Sequence, residues 1–131
     1  MERAFELGAD GVQMATRFVT TEECDASPAY KQAYINASKE DIILVKSPVG
    51  MPGRAIRNPL MEKAAKGKVS HKSCHRCVST CIPAETPYCI TDALVNAAKG
   101  NVDEALLFCG TNAYRATKIE TVKEIMDEFR V

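Results

Sequence analysis

The sequence of 131 residues contains no tryptophan, only two histidines and no excess of either charge sign. It also lacks an apolar run of the roughly 20 residues that cross a bilayer, since the longest runs are residues 42–45 and 105–109. The first residues show neither the apolar stretch nor the cleavage site of a signal peptide. These absences predict a cytoplasmic protein without a membrane partner.

Internal repeats and low-complexity tracts are absent too, and the composition is that of a globular domain. Hydrophobic residues make up 46% and charged residues 26%, which excludes a disordered or collagen-like chain. A chain of this length can bury a single core. A complete eightfold α/β barrel is excluded, because it needs about 250 residues.

The zero net charge hides an uneven distribution. Residues 39–80 carry nine basic and three acidic side chains, whereas residues 1–38 and 81–131 each carry three more acidic than basic ones. A basic middle can face an anionic substrate, or it can be a solvated surface that the acidic flanks neutralise. Because no aromatic residue interrupts the basic stretch, the pattern does not favour a nucleic-acid partner.

Hydrophobic spacing and turn residues predict short strands and helices in alternation, with more helix towards the C-terminus. Ser27 and Thr121 are predicted to cap helices, and Gly8, Gly100 and Gly110 to end them. The predicted helices are residues 2–7, 28–37, 54–66 (interrupted near 58–59), 90–99, 101–109 and 121–129. The predicted strands are residues 11–14 and 42–45, and residues 16–18 are predicted to be a loop.

Four of the six cysteines are closely spaced, in the pattern C-x2-C-x3-C-x7-C: Cys74, Cys77, Cys81 and Cys89. A CxxC turn places two thiolates near one metal ion, and two further cysteines can complete a zinc or iron–sulfur site. Lys72 and Arg76 would favour the thiolate form. The spacing does not decide between zinc and iron–sulfur, and it is equally compatible with reduced or disulfide-paired cysteines without metal. Cys24 and Cys109 lie in predicted regular segments and are expected to be buried.

Two arginines, Arg54 and Arg57, follow a loop rich in proline and glycine at residues 47–53. Paired guanidinium groups can bind an anionic substrate or a cofactor phosphate. They can equally be surface charges that pair with nearby carboxylates. No pair of carboxylates has the arrangement of a general acid and base, so we assign no catalytic base.

Small and hydroxylated residues follow the predicted strand 11–14. In α/β barrels, the loops after the last strands bind phosphate through backbone N–H groups and hydroxyls, which makes Thr16 a candidate phosphate ligand. An ordinary buried strand and turn would show the same pattern.

Residues 11–18, Gly-Val-Gln-Met-Ala-Thr-Arg-Phe, resemble the last-strand segment of the nitronate monooxygenase family, formerly called 2-nitropropane dioxygenases. This family includes the flavin-dependent enoyl-acyl-carrier-protein reductases. Three further segments resemble the family in the same order, at residues 21–28, 52–58 and 108–113. The resemblance extends from the first residues to about residue 115.

The resemblance implies an α/β fold that is the C-terminal portion of an FMN-binding TIM (β/α)8 barrel. Residues 1–46 would contain the last strand and helix of the barrel. Residues 47–131 would form a mostly helical extension with a Cys-rich loop at 67–89. The residues implied to contact the flavin phosphate or ring edge are Gln13, Met14, Ala15 and Thr16, although the family usually has glycine where Ala15 stands. Gly110 and Asn112 fall in the segment that closes over the flavin in such enzymes.

The implied activity is FMN-dependent oxidation of alkyl nitronates or, alternatively, NAD(P)H-dependent reduction of an enoyl thioester. An iron–sulfur cluster, if present, would pass electrons to the flavin. Because neither His71 nor His75 aligns with the catalytic histidine of the family, which lies on an earlier barrel strand, we expect this chain to be a fragment that is inactive alone. A homodimer is compatible with the resemblance. A different hypothesis is a stand-alone metal-binding module based on the cysteine cluster.

Overall fold

The computed structural model describes residues 2–71 and 73–129. The helices are α1 (Glu2–Glu6), α2 (Thr16–Val19), α3 (Pro28–Asn36), α4 (Pro59–Lys66), α5 (Ile90–Lys99) and α6 (Val122–Asp127). The strands are β1 (Ile42–Lys46) and β2 (Pro52–Ile56), and single 3-10 turns lie at Lys39–Asp41, Val102–Glu104 and Ala113–Arg115. Among the described residues, no helix has the length and apolar character needed to cross a membrane.

Several predicted helix ends are confirmed, because local side-chain chemistry determines them. The Ser27 hydroxyl accepts a hydrogen bond from the Tyr30 N–H at 3.2 Å, with Pro28 in the first turn. Thr121 and Glu124 form the reciprocal capping box at the start of α6. Gly8 and Gly100 follow α1 and α5 with φ of +87° and +83°, the left-handed region that favours glycine.

The sheet is an antiparallel pair, with Ile42 opposite Ile56 and Lys46 opposite Pro52. The prediction that a helix begins at residue 54 is therefore wrong: β2 continues through Ile56, and α4 starts only at Pro59. The physical reason is packing, since Ala55 and Ile56 are both buried.

The predicted helix at residues 101–109 is also wrong. One 3-10 turn is followed by an extended segment along β2, in which Ile56 N–H donates to Leu107 O at 3.0 Å and Cys109 N–H donates to Arg54 O at 2.9 Å. Extended backbone sends successive side chains to opposite sides. Leu106 therefore packs in one apolar cluster and Leu107 in the other.

These two clusters form the core. The first joins β1, β2, α4 and α5 and consists of Val45, Ala55, Leu60, Met61, Tyr88, Ile90, Ala93 and Leu106. The second lies between α3 and the end of α5 and consists of Tyr34, Ala37, Ile56, Ala97, Ala105, Leu107 and Ala113. Cys24 and Cys109 are half-buried rather than buried. On α6, Ile125 is buried whereas Met126 is exposed, so the predicted apolar face is only partly used.

Residues 11–14 do not form the predicted buried strand. They are exposed, and no described residue pairs with them as a strand. A strand needs a neighbour for its backbone N–H and C=O groups, and β1 and β2 pair with each other instead. Residues 16–18 differ from the prediction as well, because they belong to the short helix α2.

Candidate functional site

The segments at residues 13–17 and 110–116 face each other across one cleft of about 540 Å³, which we call the Thr16 cleft. Its walls include all four residues that the sequence suggests as flavin contacts: Gln13, Met14, Ala15 and Thr16. Gly110 and Asn112 lie on the opposite wall. The structure thus brings the two segments together, and their role in flavin binding remains a prediction.

One hydrogen bond joins the two walls. The backbone N–H of Gly110 donates to Thr16 Oγ1 at 2.8 Å. A Cβ atom at Gly110 would lie 3.3 Å from the same oxygen, tighter than most such contacts. The absence of a side chain at Gly110 therefore permits the close approach.

The backbone at residues 13–15 offers hydrogen-bond donors to the cleft. Within the described part of the chain, the N–H groups of Gln13, Met14 and Ala15 have no protein acceptor, and all three residues are exposed. Ala15 has φ of −124° and ψ of −53°, so its backbone does not require the glycine that is usual in the family.

The two arginines of the cleft differ in charge environment. Arg17 forms ion pairs with Glu120 and Glu128, and the bond to Glu120 raises the pKa of Arg17 and lowers that of Glu120. Arg115 has no carboxylate partner among the described residues; it contacts the neighbouring Tyr114 ring and lowers the pKa of that phenol. Arg115 is thus the cation in the cleft that can meet an anion. Sequence reasoning missed it, although it lies only three residues after Asn112.

Arg54 and Arg57, the predicted anion-binding pair, do not line the Thr16 cleft. Arg57 is exposed, donates to Glu40 O at 3.3 Å and has its Nε 3.9 Å from Asp41 Oδ1. Arg54 lies in β2 beside Cys109, whose thiol pKa is raised to about 11 by burial despite the opposing charge of Arg54. The surface-pairing interpretation therefore fits Arg57.

A second cavity, of about 390 Å³, lies in the Cys-rich loop, and we call it the cysteine pocket. All four predicted metal ligands line it, together with both histidines: Cys74, Cys77, Cys81, Cys89, His71 and His75. The four thiols are not joined by disulfides. Among the described residues, the metal-binding atoms that converge within 4.8 Å of one another belong to His75, Cys89 and Asp92.

Asp92, whose carboxylate lies within 4.8 Å of the ligand atoms of His75 and Cys89, was missed by sequence reasoning. It lies three residues after Cys89 in the first turn of α5, and residues at this spacing share one helix face. That spacing is the signal that could have identified it.

Sequence comparisons match most of the chain to known proteins. The profile of the family described as nitronate monooxygenase matches residues 1–130. A protein of Staphylococcus saprophyticus named "Probable nitronate monooxygenase" is 40% identical over 57 residues, which are 44% of this chain and 16% of that protein. A protein of the same name from Staphylococcus aureus is 37% identical over 60 residues, 46% of this chain and 17% of that protein. The matched part is therefore less than a fifth of these curated relatives.

Two solved structures are also similar to this chain. FabK from Thermotoga maritima has a TM-score of 0.73 and 29% identity, over 95% of this chain and 37% of the FabK chain. A point mutant of that FabK has a TM-score of 0.69 and 28% identity, over 97% of this chain and 34% of the mutant chain. Since the family profile covers almost the whole sequence, the chain belongs to the nitronate monooxygenase family of flavin-dependent oxidoreductases, as the resemblance predicts.

Proposed function

We propose that this chain supplies part of the FMN phosphate site of an oxidoreductase that oxidises alkyl nitronates. The observation that carries the proposal is the hydrogen bond from Gly110 N–H to Thr16 Oγ1. It joins the two segments that the family resemblance independently assigns to flavin binding, although they are 94 residues apart in the chain.

The donors of the Thr16 cleft fit a phosphate group. The N–H groups of Gln13, Met14 and Ala15 can bind its oxygens, and Arg115 can compensate its negative charge. A hydroxyl can accept and donate at once, so Thr16 can hold Gly110 and still donate its own proton to a phosphate oxygen. The cleft volume of about 540 Å³ lies within the usual range of small-molecule sites.

The role of these residues is to bind and orient the cofactor. FMN, when bound, supplies the redox chemistry of the reaction. His71 and His75 line the cysteine pocket and not the Thr16 cleft, so we place no catalytic base in this cleft. Residues 11–14, which are exposed, would be the last strand of the barrel and pair with its preceding strand.

NAD(P)H-dependent reduction of an enoyl thioester is the second candidate. The likeness to FabK, which extends over 95% of the chain, favours it. The two candidates share the flavin site and differ in the electron donor and acceptor. Substrate assays therefore separate them.

A chimera tests both candidates. In it, the portion of Thermotoga maritima FabK that matches this chain, 37% of FabK, is replaced by the chain itself. We expect a yellow protein with one FMN per chain after desalting. Oxygen uptake with an alkyl nitronate would then support nitronate oxidation, and NAD(P)H consumption with an enoyl thioester would support the second candidate.

A folded chimera that stays colourless after incubation with FMN would contradict both candidates. Two variants test whether Arg115 contributes to FMN binding. Arg115→Gln removes the cation in the cleft, and the control Lys66→Gln removes an exposed cation on α4, which does not line the cleft. We expect only the first change to weaken FMN binding. Equal affinities in the two variants would contradict the role of Arg115.

A further inference from the structure

The Cys-rich loop is unusually long for a segment without regular structure. Between α4 and α5, residues 67–71 and 73–89 contain no helix or strand. Loops longer than about 12–15 residues are uncommon in compact domains unless they serve a function. A few contacts restrain this one, including Val69 N–H to Pro87 O at 2.8 Å and Lys68 Nζ to Pro83 O at 2.7 Å. Most of its side chains are exposed, so apolar burial contributes little to its order.

The CxxC turn within the loop has a specific backbone conformation. Arg76 has φ of +50°, the left-handed region that non-glycine residues seldom adopt. In this conformation the Arg76 N–H points to Cys74 Sγ at 3.5 Å. This contact ties the Cys74 sulfur to the backbone of the turn.

A second contact places this turn beside the fourth cysteine. His75, inside the turn, has its Nε2 2.7 Å from Asp92 Oδ1 in the first turn of α5. Cys89 immediately precedes that helix, and its sulfur lies within 4.8 Å of the ligand atoms of His75 and Asp92. The His75–Asp92 pair therefore fixes the CxxC turn next to Cys89.

We propose that the cysteine pocket binds one Zn²⁺ through four thiolates, those of Cys74, Cys77, Cys81 and Cys89. When the ion binds, the sulfurs of Cys74, Cys77 and Cys81 would move towards Cys89 and surround it. Four sulfur ligands in a tetrahedron are typical of structural zinc sites. Each thiol releases its proton on binding, and Arg76, which lines the pocket, offsets part of the resulting negative charge. Lys72, the other cation that the sequence suggests, lies outside the described residues.

The ion would connect the loop to α5, whose first turn packs in the apolar core through Ile90 and Ala93. His75 and Asp92 act as positioning residues in this scheme, because the carboxylate holds the imidazole and with it the turn. The site is independent of the flavin proposal, since none of its ligands lines the Thr16 cleft.

The test uses the full 131-residue chain, purified with a thiol reductant and without chelator. Elemental analysis should find one zinc ion per chain. Alkylation mapped by mass spectrometry should show the four pocket thiols protected until a chelator is added. Cobalt(II) added to the metal-free chain should give thiolate-to-metal charge-transfer absorption at one equivalent.

Substitutions then test the ligand set. Cys77→Ser and Cys89→Ser should each lose stoichiometric zinc, whereas the matched control Cys24→Ser, outside the pocket, should retain it. His75→Ala should retain zinc with an affinity lower by roughly 10–100-fold, the usual effect of losing a group that orients a ligand. If a cysteine variant fails to fold, the cobalt spectrum of the unaltered chain still tests the number of thiolates.

Several results would overturn the proposal. These are a chain that binds neither zinc nor cobalt, iron with inorganic sulfide in its place, and a Cys74–Cys77 disulfide that persists in the reductant. Loss of metal in His75→Ala together with its retention in Cys74→Ser would overturn the four-thiolate ligand set.

Discussion

The backbone N–H of Gly110 donates a hydrogen bond to the hydroxyl of Thr16, which precedes it by 94 residues. This contact joins the start of α2 to the segment that follows the extended strand-like residues 105–109. It makes two distant parts of the sequence into the two walls of one cleft. Both the geometry of the cleft and the proposed flavin site depend on it.

Thr16→Val in the FabK chimera should weaken FMN binding. Valine has nearly the same shape as threonine but neither accepts from Gly110 nor donates to a phosphate oxygen. The loss of such a hydrogen bond costs about 1 kcal/mol or more, which corresponds to a dissociation constant raised roughly fivefold. Quenching of flavin fluorescence measures this constant.

Thr117→Val is the matched control for Thr16→Val. Thr117 is exposed and does not line the cleft. The control should leave FMN affinity unchanged. If both variants bind FMN as the unaltered chimera does, Thr16 is not a flavin contact.

Asn58 is a structural residue whose two polar side-chain atoms make three hydrogen bonds, so Asn58→Ala should destabilise the chain. Its Oδ1 accepts from Met61 N–H at 3.0 Å and caps α4, while its Nδ2 donates to Val102 O and Ala105 O, both at 2.7 Å. A lost cap costs about 1 kcal/mol, and the buried Ala105 carbonyl, left unpaired, costs about 1–3 kcal/mol, whereas Val102 O keeps its bond from the Ala105 N–H. We expect a loss of about 2–4 kcal/mol in the free energy of unfolding, measured by urea denaturation.

Asn58→Asp separates the two contributions of this side chain. Aspartate keeps the acceptor that caps α4 but cannot donate to Val102 O and Ala105 O. If Asn58→Asp is as stable as the unaltered chain, the donor bonds contribute nothing and the cap alone explains the effect.

The features predicted correctly from sequence are those with local causes. Ser27, Thr121 and Gly100 act on backbone atoms within a few residues, and the helix ends at these positions follow the prediction. Leu106 and Leu107 show where such reasoning fails. The capping pattern at residue 101 favours a helix, but pairing with β2 and burial on both sides favour extended backbone, and neither is visible in a local window.

The same distinction applies to the candidate sites. The closely spaced cysteines line one cavity, and the residues that the family resemblance suggests as flavin contacts line another, while what either cavity binds stays a prediction. Arg115 was missed because tertiary packing brings it into the Thr16 cleft, whereas Asp92 was missed although its spacing from Cys89 is visible in the sequence. The prediction of a strand at residues 11–14 was wrong because no described residue supplies the neighbouring strand that it needs.

Gly100→Ala should destabilise the junction between α5 and α3. Gly100 has φ of +83°, and a Cβ there would lie 2.7 Å from Ser27 Oγ, the cap of α3. We expect a loss of about 1–3 kcal/mol in the free energy of unfolding, from backbone strain together with displacement of the cap. Gly8→Ala is the control for strain alone, because Gly8 has a similar φ of +87° with no atom within 4 Å of the added Cβ. Equal losses in the two variants would exclude a contribution from Ser27.

Glu120 should make stability depend on pH in the acid range. Its hydrogen bond from Arg17 lowers its pKa below the ordinary value of 4.5, with a smaller contribution from Lys118. A carboxyl whose pKa is lower in the folded chain than in the unfolded chain stabilises the fold at pH values above its unfolded pKa. This stabilisation is lost as the pH falls through the folded pKa.

The unaltered chain should therefore be more stable than Glu120→Gln at neutral pH, and the difference in stability should shrink as the pH falls below 4.5. Urea midpoints across this range measure it. Glu128→Gln removes the more exposed partner of Arg17 and should lower the stability at neutral pH by less than Glu120→Gln does. If the difference between the unaltered chain and Glu120→Gln is the same at every pH, the Arg17–Glu120 ion pair does not contribute to stability.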